Sequence, residues 1–272
     1  MYVNPGSPDN LNENVAGKSG RRWVLLRGLL REQRHWQDFP EKLQLYFPGD
    51  EIVMHDFSGN GKRYREKSAT SISDMVDDVR YALSTDTIET PVTIIALSLG
   101  GMVAAEWLSQ YPDECAGAVL ISTSMKGLNP IHQRLLPAVY PVIIRSLLIP
   151  ESRETKEGRI LKLVSNIAVR DSLRRKQLIR DWVAYANECP VSRMNGLRQL
   201  LAAARFQAPA QVPEMPVLVL RSLADHMVSP ECSATLAKHW LATLETHQIS
   251  GHDIPLDDAD WVCRKISAWS GE

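Results

Sequence analysis

The sequence predicts an α/β fold in which a mainly parallel sheet is covered by helices on both faces. Three short apolar runs, at residues 23–26, 92–95 and 217–220, are typical of strands that are buried on both faces. Amphipathic segments alternate with such runs, and parallel neighbouring strands require crossover helices of this kind. The 272 residues are enough for one such domain with an insertion.

The individual elements can be placed along the chain from the same patterns. We expect strands at residues 23–26, 51–54, 92–95, 117–121, 217–220 and near 247–249. We expect helices at residues 72–83, 99–110, 231–243 and 257–269. Residues 126–206 have no strand-like run and indicate four or five helices, with breaks near Pro137, Pro150, Asp171 and Pro190. Residues 1–20 predict a flexible N-terminal tail, and residues 21–125 and 207–272 predict the core, with 126–206 inserted between them.

Composition excludes several classes of function. A net charge of −1 gives no electrostatic footprint for nucleic acid. The first residues have neither the basic start nor the apolar run of a secretory signal, and the longest apolar stretch, at 138–149, contains Pro141 and Arg145 and is too short to span a membrane. The four cysteines lack metal-type spacing and indicate reduced thiols. We therefore expect a cytoplasmic protein without a membrane span.

Ser98 lies in the most informative stretch of the chain. It follows an apolar run and precedes two glycines and a helix-forming segment, which is the order typical of a nucleophile elbow. The small residues Ala96 and Gly100 would allow the strand and the helix to approach closely. The alternative is that Ser98 only caps the helix, and the motif alone does not decide between the two.

A serine nucleophile needs a base, and the base needs an acid to orient it. Where such an elbow occurs, the acid and then the histidine follow it in the chain. Asp225 is the only carboxylate in the loop after strand 217–220, and His252 lies in the loop before the last helix. Four other histidines occur in contexts typical of loop or helix surfaces: His35, His55, His132 and His226.

The sequence thus predicts a catalytic triad of Ser98, Asp225 and His252. Each follows a predicted strand, and open α/β sheets place their sites at the carboxyl ends of strands. The alternatives are that Asp225 caps a turn and that His252 is a polar loop residue. An oxyanion hole is also required, and its predicted donors are the backbone N–H groups of Leu99 and Leu29. Gly28 would permit the tight backbone beside Leu29.

These motifs resemble the α/β-hydrolase superfamily, in particular its small bacterial esterases and lipases with a helical cap. The resemblance extends over residues 23–270 and rests on Arg27-Gly28-Leu29, Asp56 to Gly61, Ala96 to Gly101, Asp225 with Pro230, and Gly251-His252-Asp253. It implies that residues 126–206 form a cap over the site. Arg27 stands where most relatives carry histidine, which indicates an ion pair or a contact with an anionic group near the pocket.

The inserted residues are also strongly basic. Residues 126–206 contain 15 Lys and Arg but 6 Asp and Glu, a net charge of +9, while the rest of the chain has a net charge of −10. Either the two halves pair within the protein, or the insertion attracts an anionic partner. Candidate partners are an acidic acyl-carrier protein, a carboxylate on the substrate and anionic lipid headgroups.

The resemblance implies a serine esterase that cleaves carboxylic esters of medium, fairly apolar acyl groups and needs no metal or organic cofactor. One alternative is a methyl-ester or thioester hydrolase for carrier-protein-bound chains, which would resemble the pimeloyl carrier-protein methyl ester esterases. The alternative from another class is a non-catalytic protein of the same fold that binds a ligand in its pocket.

Overall fold

The computed structural model describes residues 20–84, 91–211 and 213–271; most of the predicted N-terminal tail, residues 1–19, lies outside them. The strands in these ranges are β1 Arg22–Leu26, β2 Glu51–His55, β3 Val92–Leu97, β4 Cys115–Ile121, β5 Val217–Ser222 and β6 Thr243–His247. The α-helices are α1 Phe39–Tyr46, α2 Ile72–Ser84, α3 Leu99–Gln110, α4 Ile131–Arg134, α5 Tyr140–Leu148, α6 Arg153–Val164, α7 Ser172–Glu188, α8 Arg193–Arg205, α9 Pro230–Trp240, α10 Ile254–Asp257 and α11 Ala259–Ser270.

The six strands form one sheet in the order β2-β1-β3-β4-β5-β6. All five neighbouring pairs are parallel, which confirms the predicted parallel sheet. The carboxyl ends of all six strands therefore lie at one edge. Strand β4 pairs with β5, opposing Ala118 to Val217 although the inserted helices separate them in the chain.

Both faces of the sheet are buried, as the continuous apolar runs predict. Side chains alternate between faces along a strand, so Trp23 and Leu25 of β1 pack in one apolar cluster and Val24 and Leu26 pack in another. The first cluster includes residues of α1 and α11, and the second includes residues of α2, α3 and α9. Because helices cover both faces, the site can form only where the strands end.

The last strand lies earlier than its sequence pattern predicts. We expected a strand near 247–249 after a helix that runs to residue 243, but the helix ends at Trp240 and β6 spans Thr243–His247. Leu241 adopts a left-handed conformation with φ of 53°, which ends the helix. Strand β6 is at the sheet edge and is only partly buried over most of its length, so it lacks the apolar run of a central strand.

Residues 126–206, which we call the helical segment, contain α4 to α8. Asp171 caps α7 by accepting hydrogen bonds from two backbone N–H groups, which explains the predicted break at this residue. Helices α6 and α7 enclose a small apolar cluster around Leu161 and Trp182, and Leu256 of α10 joins it from the other part of the chain. No helix in the described ranges is long and apolar enough to cross a membrane.

Candidate active site

Ser98 occupies the turn between β3 and α3 in a backbone conformation that serine rarely adopts. Its φ is 56° and its ψ is −112°, and a non-glycine residue with positive φ is uncommon. Ser98 stands at the N-cap position of α3, but its side chain makes no capping hydrogen bond. The hydroxyl of Ser98 is therefore not engaged in capping the helix, and the side chain stays partly exposed.

The end of β1 and the start of α3 approach so closely that small residues are required. A Cβ atom on Gly100 would lie 2.4 Å from the carbonyl oxygen of Leu26, a distance that the backbone does not tolerate. A Cβ atom on Gly28 would lie 3.2 Å from the Cβ atom of Ser98. Ala96 is fully buried opposite Leu26 in the sheet. The loop after β1 is thereby placed directly beside Ser98.

The turn at Ser98 is held by the neighbouring strand β4. The N–H of Ser98 donates to the carbonyl oxygen of Ile121 at 2.9 Å. The hydroxyl of Thr123, in the loop after β4, donates to the carbonyl oxygen of Ser98 at 2.8 Å. Thr123 was not predicted as a site residue, since its one signal in the sequence is a hydroxyl just beyond a strand at the same sheet edge.

Asp225 and His252 lie together in the structure. The Nδ1 atom of His252 donates to Oδ2 of Asp225 at 2.8 Å, and both side chains are 3% exposed. The other carboxylate oxygen, Oδ1, accepts from the N–H groups of Met227 and Val228 at 2.7 and 3.0 Å. Asp225 therefore caps its own turn and also accepts a hydrogen bond from the imidazole of His252, so the turn-capping role does not prevent contact with the histidine.

The environment of His252 suits a group that exchanges protons. Burial opposes the charged imidazole, but the charge and the hydrogen bond of Asp225 outweigh burial and raise the pKa of His252 above its ordinary value. The Nε2 atom is buried and has no hydrogen-bond partner among the described residues. Within the described residues, the hydroxyl of Ser98 makes no hydrogen bond to Nε2 of His252. Hydrogen bonds between catalytic groups are often long without substrate and shorten when substrate binds.

One predicted N–H donor, Leu99, directly follows Ser98, and the other, Leu29, follows Gly28, which lies beside the Ser98 side chain. Leu99 is the first residue of α3, so the ladder of the helix does not use its N–H. The N–H of Leu29 has no acceptor among the described residues. Its loop is shaped by a hydrogen bond from the N–H of Arg31 to the carbonyl oxygen of Gly28 at 3.2 Å.

Two amide side chains of the helical segment hold the loops of the site. Gln199 is fully buried and accepts from the N–H of Leu30 at 3.0 Å, beside the predicted oxyanion loop. Asn166 donates to the carbonyl oxygens of Ala224 and Ser250 at 2.8 and 3.1 Å. Asn166 thereby joins the loop that carries Asp225 to the loop that carries His252.

Asp257 fastens the same part of the helical segment to the loop of His252. Its carboxylate accepts from the N–H groups of Gly251 and Asn166 at 2.7 and 2.9 Å. The N–H groups of Ile167 and Ala168 and the hydroxyl of Ser165 complete its partners. Sequence reasoning missed Asn166, Gln199 and Asp257, because nothing local marks a polar residue whose partners are distant in the chain.

Arg27 forms a buried ion pair, one of the two roles that the sequence analysis considered for it. Its Nη2 atom lies 2.5 Å from Oδ2 of Asp253, and both side chains are 3% exposed. The guanidinium also lies over the ring of Trp36, with Cζ 4.6 Å from the ring centroid. Arg27 therefore ties the loop after β1 to the residue that follows His252.

Two of the four histidines expected on surfaces, His35 and His55, are buried, so that expectation is wrong for them. His35 packs against Trp182 and Tyr185 with ring centroids 5.3 and 5.4 Å apart. His55 ends β2, and burial together with the charge of Arg63 lowers its pKa to about 4. A histidine in a polar stretch gives no local sign of the aromatic rings that cover it.

The fold is shared with solved structures of low sequence identity. A hydrolase from Pseudomonas aeruginosa PA01 superposes with a TM-score of 0.76 at 16% identity, covering 94% of this chain and 91% of that chain. A thermophilic esterase from Thermogutta terrifontis gives 0.73 at 18%, covering 93% and 90%. The esterase RhEst1 from Rhodococcus sp. ECU1013 gives 0.75 at 14%, covering 93% and 91%.

No curated protein matches this chain in sequence. The family model described as serine aminopeptidase, S33, matches residues 24–257, which include β2 to β6, the last three residues of β1 and every residue of the candidate site. The chain therefore belongs to this S33 family of α/β hydrolases.

Proposed function

We propose that this protein is a serine hydrolase that cleaves carboxylic esters of medium, fairly apolar acyl groups. The observation that carries the proposal is the arrangement at one sheet edge. Ser98 stands in a strained turn after β3 with a hydroxyl that does not cap the helix, and the buried pair of Asp225 and His252 lies in the loops after β5 and β6. Family membership supports hydrolysis.

In the proposed reaction, Ser98 Oγ attacks the ester carbonyl carbon while His252 Nε2 accepts the hydroxyl proton. The N–H groups of Leu29 and Leu99 stabilise the oxyanion of the tetrahedral intermediate. His252 then protonates the departing alcohol, leaving an acyl-enzyme. Water attacks the acyl carbon, gives its proton to His252 and releases the acid, and Ser98 recovers its proton. Asp225 holds the imidazole with Nδ1 as the donor and stabilises the imidazolium.

We propose that the helical segment is the cap of this site. Its contacts through Gln199 and Asn166 to the site loops support this role. The net charge of +9 on residues 126–206 favours one further possibility, a methyl ester or thioester presented by an acidic carrier protein. A carrier-bound substrate would then react faster than the free ester at low salt and lose this advantage as salt rises.

The experiment is fluorophosphonate labelling combined with hydrolysis of p-nitrophenyl esters of increasing acyl length. We expect wild type to label and turn over, and Ser98→Ala to do neither, with kcat lower by about 10⁴- to 10⁶-fold. Ser124→Ala, a buried serine in the loop after β4, is the matched control and should label normally. Wild type that neither labels nor hydrolyses any ester would contradict the proposal and favour the ligand-binding alternative.

The substrate class is tested with an amino-acid p-nitroanilide beside the ester of the same acyl group. We expect the ester to be cleaved with the higher kcat/KM. A Ser98-dependent preference for the anilide would keep the nucleophile but overturn the ester assignment, in favour of the activity in the family's description.

A further inference from the structure

A cleft of about 500 Å³ lies between the helical segment and the loops that carry Asp225 and His252. Lys162, Arg170 and Arg175 line it from the helical segment, and His226 lines it from the loop after β5. Ser98, Leu29 and Leu99 are not among its lining residues. The cleft is therefore distinct from the place where the proposed ester chemistry occurs.

The cleft collects basic groups without acidic ones. No carboxylate is among its lining residues, and none of the four basic side chains takes part in an ion pair within the described ranges. Elsewhere in the helical segment, Arg145 and Arg159 both pair with Glu151. Lys176 and Arg193 of the same segment also form no ion pair within the described ranges, so the cleft is distinguished by basic groups that line one shared volume.

The nearby carboxylate of Asp257 forms no ion pair with these groups within the described ranges. It is buried and already accepts hydrogen bonds from four backbone N–H groups and one hydroxyl. Arg175 is fixed by one hydrogen bond, from Nη1 to the carbonyl oxygen of Val169 at 3.3 Å, and its remaining N–H groups can bind a ligand. Two guanidinium groups and an ammonium group match a phosphate dianion, since arginine binds phosphate through paired N–H groups.

We infer that this cleft binds a small molecule that carries a phosphate monoester. The volume exceeds what a phosphate group alone fills and lies within the range of small-molecule sites. Val169, Ala224 and Ile249 supply apolar surface for the body of such a ligand. Ala224 and His226 flank Asp225, so the bound molecule would contact the loop that holds the acid of the proposed triad. The inference does not depend on the ester chemistry, because binding is measured without turnover.

The test is calorimetric titration of the full chain with phenyl phosphate at constant ionic strength. We expect saturable binding that weakens at least about tenfold in Arg170→Gln/Arg175→Gln, since this variant loses two cationic groups that donate hydrogen bonds to the phosphate. Lys176→Gln/Arg180→Gln removes the same charge from exposed positions of α7 that do not line the cleft, and should bind within about twofold of wild type.

A second variant, Lys162→Gln/His226→Gln, keeps the test valid if the arginine variant fails to fold, because both side chains are exposed. It should weaken binding in the same direction. Benzoate, a monoanion of similar size, should bind more weakly than phenyl phosphate. Absence of saturable binding to wild type, equal loss in the α7 control, or equal affinity for benzoate would each overturn the inference.

Discussion

The parallel sheet and the helical segment contribute to the candidate site in different ways. The sheet places side chains: β1 and β3 are fully buried, and Ser98 is held on a backbone packed from both sides. The helical segment instead holds backbone, because Asn166 and Gln199 bond to main-chain groups of the site loops. The sheet therefore positions the groups proposed to react, and the helical segment positions the loops that carry them. Substitution of a proposed reacting group should abolish activity, while substitution of a residue that holds a loop should lower activity only partly.

After the loss already expected for Ser98→Ala, the largest effect is expected at Asp225, on the sheet side of this comparison. Asp225→Asn should lower kcat by about 10⁴-fold, because the imidazole loses the partner that fixes its tautomer and stabilises its charged form. The base acts when neutral, so kcat/KM of the wild type should rise with pH through the raised pKa of His252. Without the carboxylate charge, that midpoint should move to lower pH.

The measurement is the pH dependence of kcat/KM for wild type and Asp225→Asn. Asp113→Asn, an exposed aspartate in the turn before β4, is the control and should keep both rate and midpoint. A loss below about tenfold, or a midpoint that stays in place, would show that Asp225 only caps its turn.

The next effect concerns stability at the buried pair of Arg27 and Asp253. Arg27→Met should lower the free energy of unfolding by about 3–5 kcal/mol, because a buried carboxylate is left without its partner. Arg22→Met removes an arginine at the start of β1 whose partner, Glu51, is exposed to solvent, and should cost less than about 1 kcal/mol.

Urea unfolding measures both variants, with Arg27→Met/Asp253→Asn as the partial rescue. The double variant should be more stable than Arg27→Met alone, since no unpaired charge remains buried. If Arg27→Met were as stable as Arg22→Met, the buried pair of Arg27 and Asp253 would stabilise the protein no more than an exposed ion pair does.

The smallest effect is expected in the helical segment. Asn166→Ala removes the hydrogen bonds to Ala224, Ile249 and Ser250 and should destabilise the protein by about 1–3 kcal/mol. It should lower kcat far less than Asp225→Asn. Asn129→Ala, whose amide bonds to side chains of Gln133 and Thr235, should leave kcat unchanged. A loss of kcat as large as that of Asp225→Asn would erase the distinction between the two regions.

Much of the sheet could be predicted because a buried parallel strand has a recognisable local pattern, a short apolar run. β1, β3 and β5 are continuous apolar runs, and their ends differ from the predicted ends by two residues at most. The edge strand β6 could not be placed, since a strand with one neighbour needs no such run. Its position follows from pairing with β5, a contact that the local sequence does not encode.

The candidate site divides in the same way. Ser98, Asp225 and His252 could be proposed because each follows a strand in a known order. The residues that hold their loops could not, since Asn166 and Ala224 are 58 positions apart and Gln199 and Leu30 are 169 apart. Asparagine and glutamine are ordinarily surface residues, both on helices such as α8, which carries Gln199, and in loops such as the one after α6, which carries Asn166. Only the fold shows which of them turn inward.

The pairing of β4 with β5 also has a consequence for synthesis. The 95 residues between Ile121 and Val217 must be translated before β5 can cover the open edge of β4. At ordinary translation rates this takes about 5–20 s, far longer than collapse of the strands already made. During that interval the nascent chain exposes an apolar strand edge of the kind that aggregates. We therefore expect the growing polypeptide, more than the finished protein, to depend on chaperones.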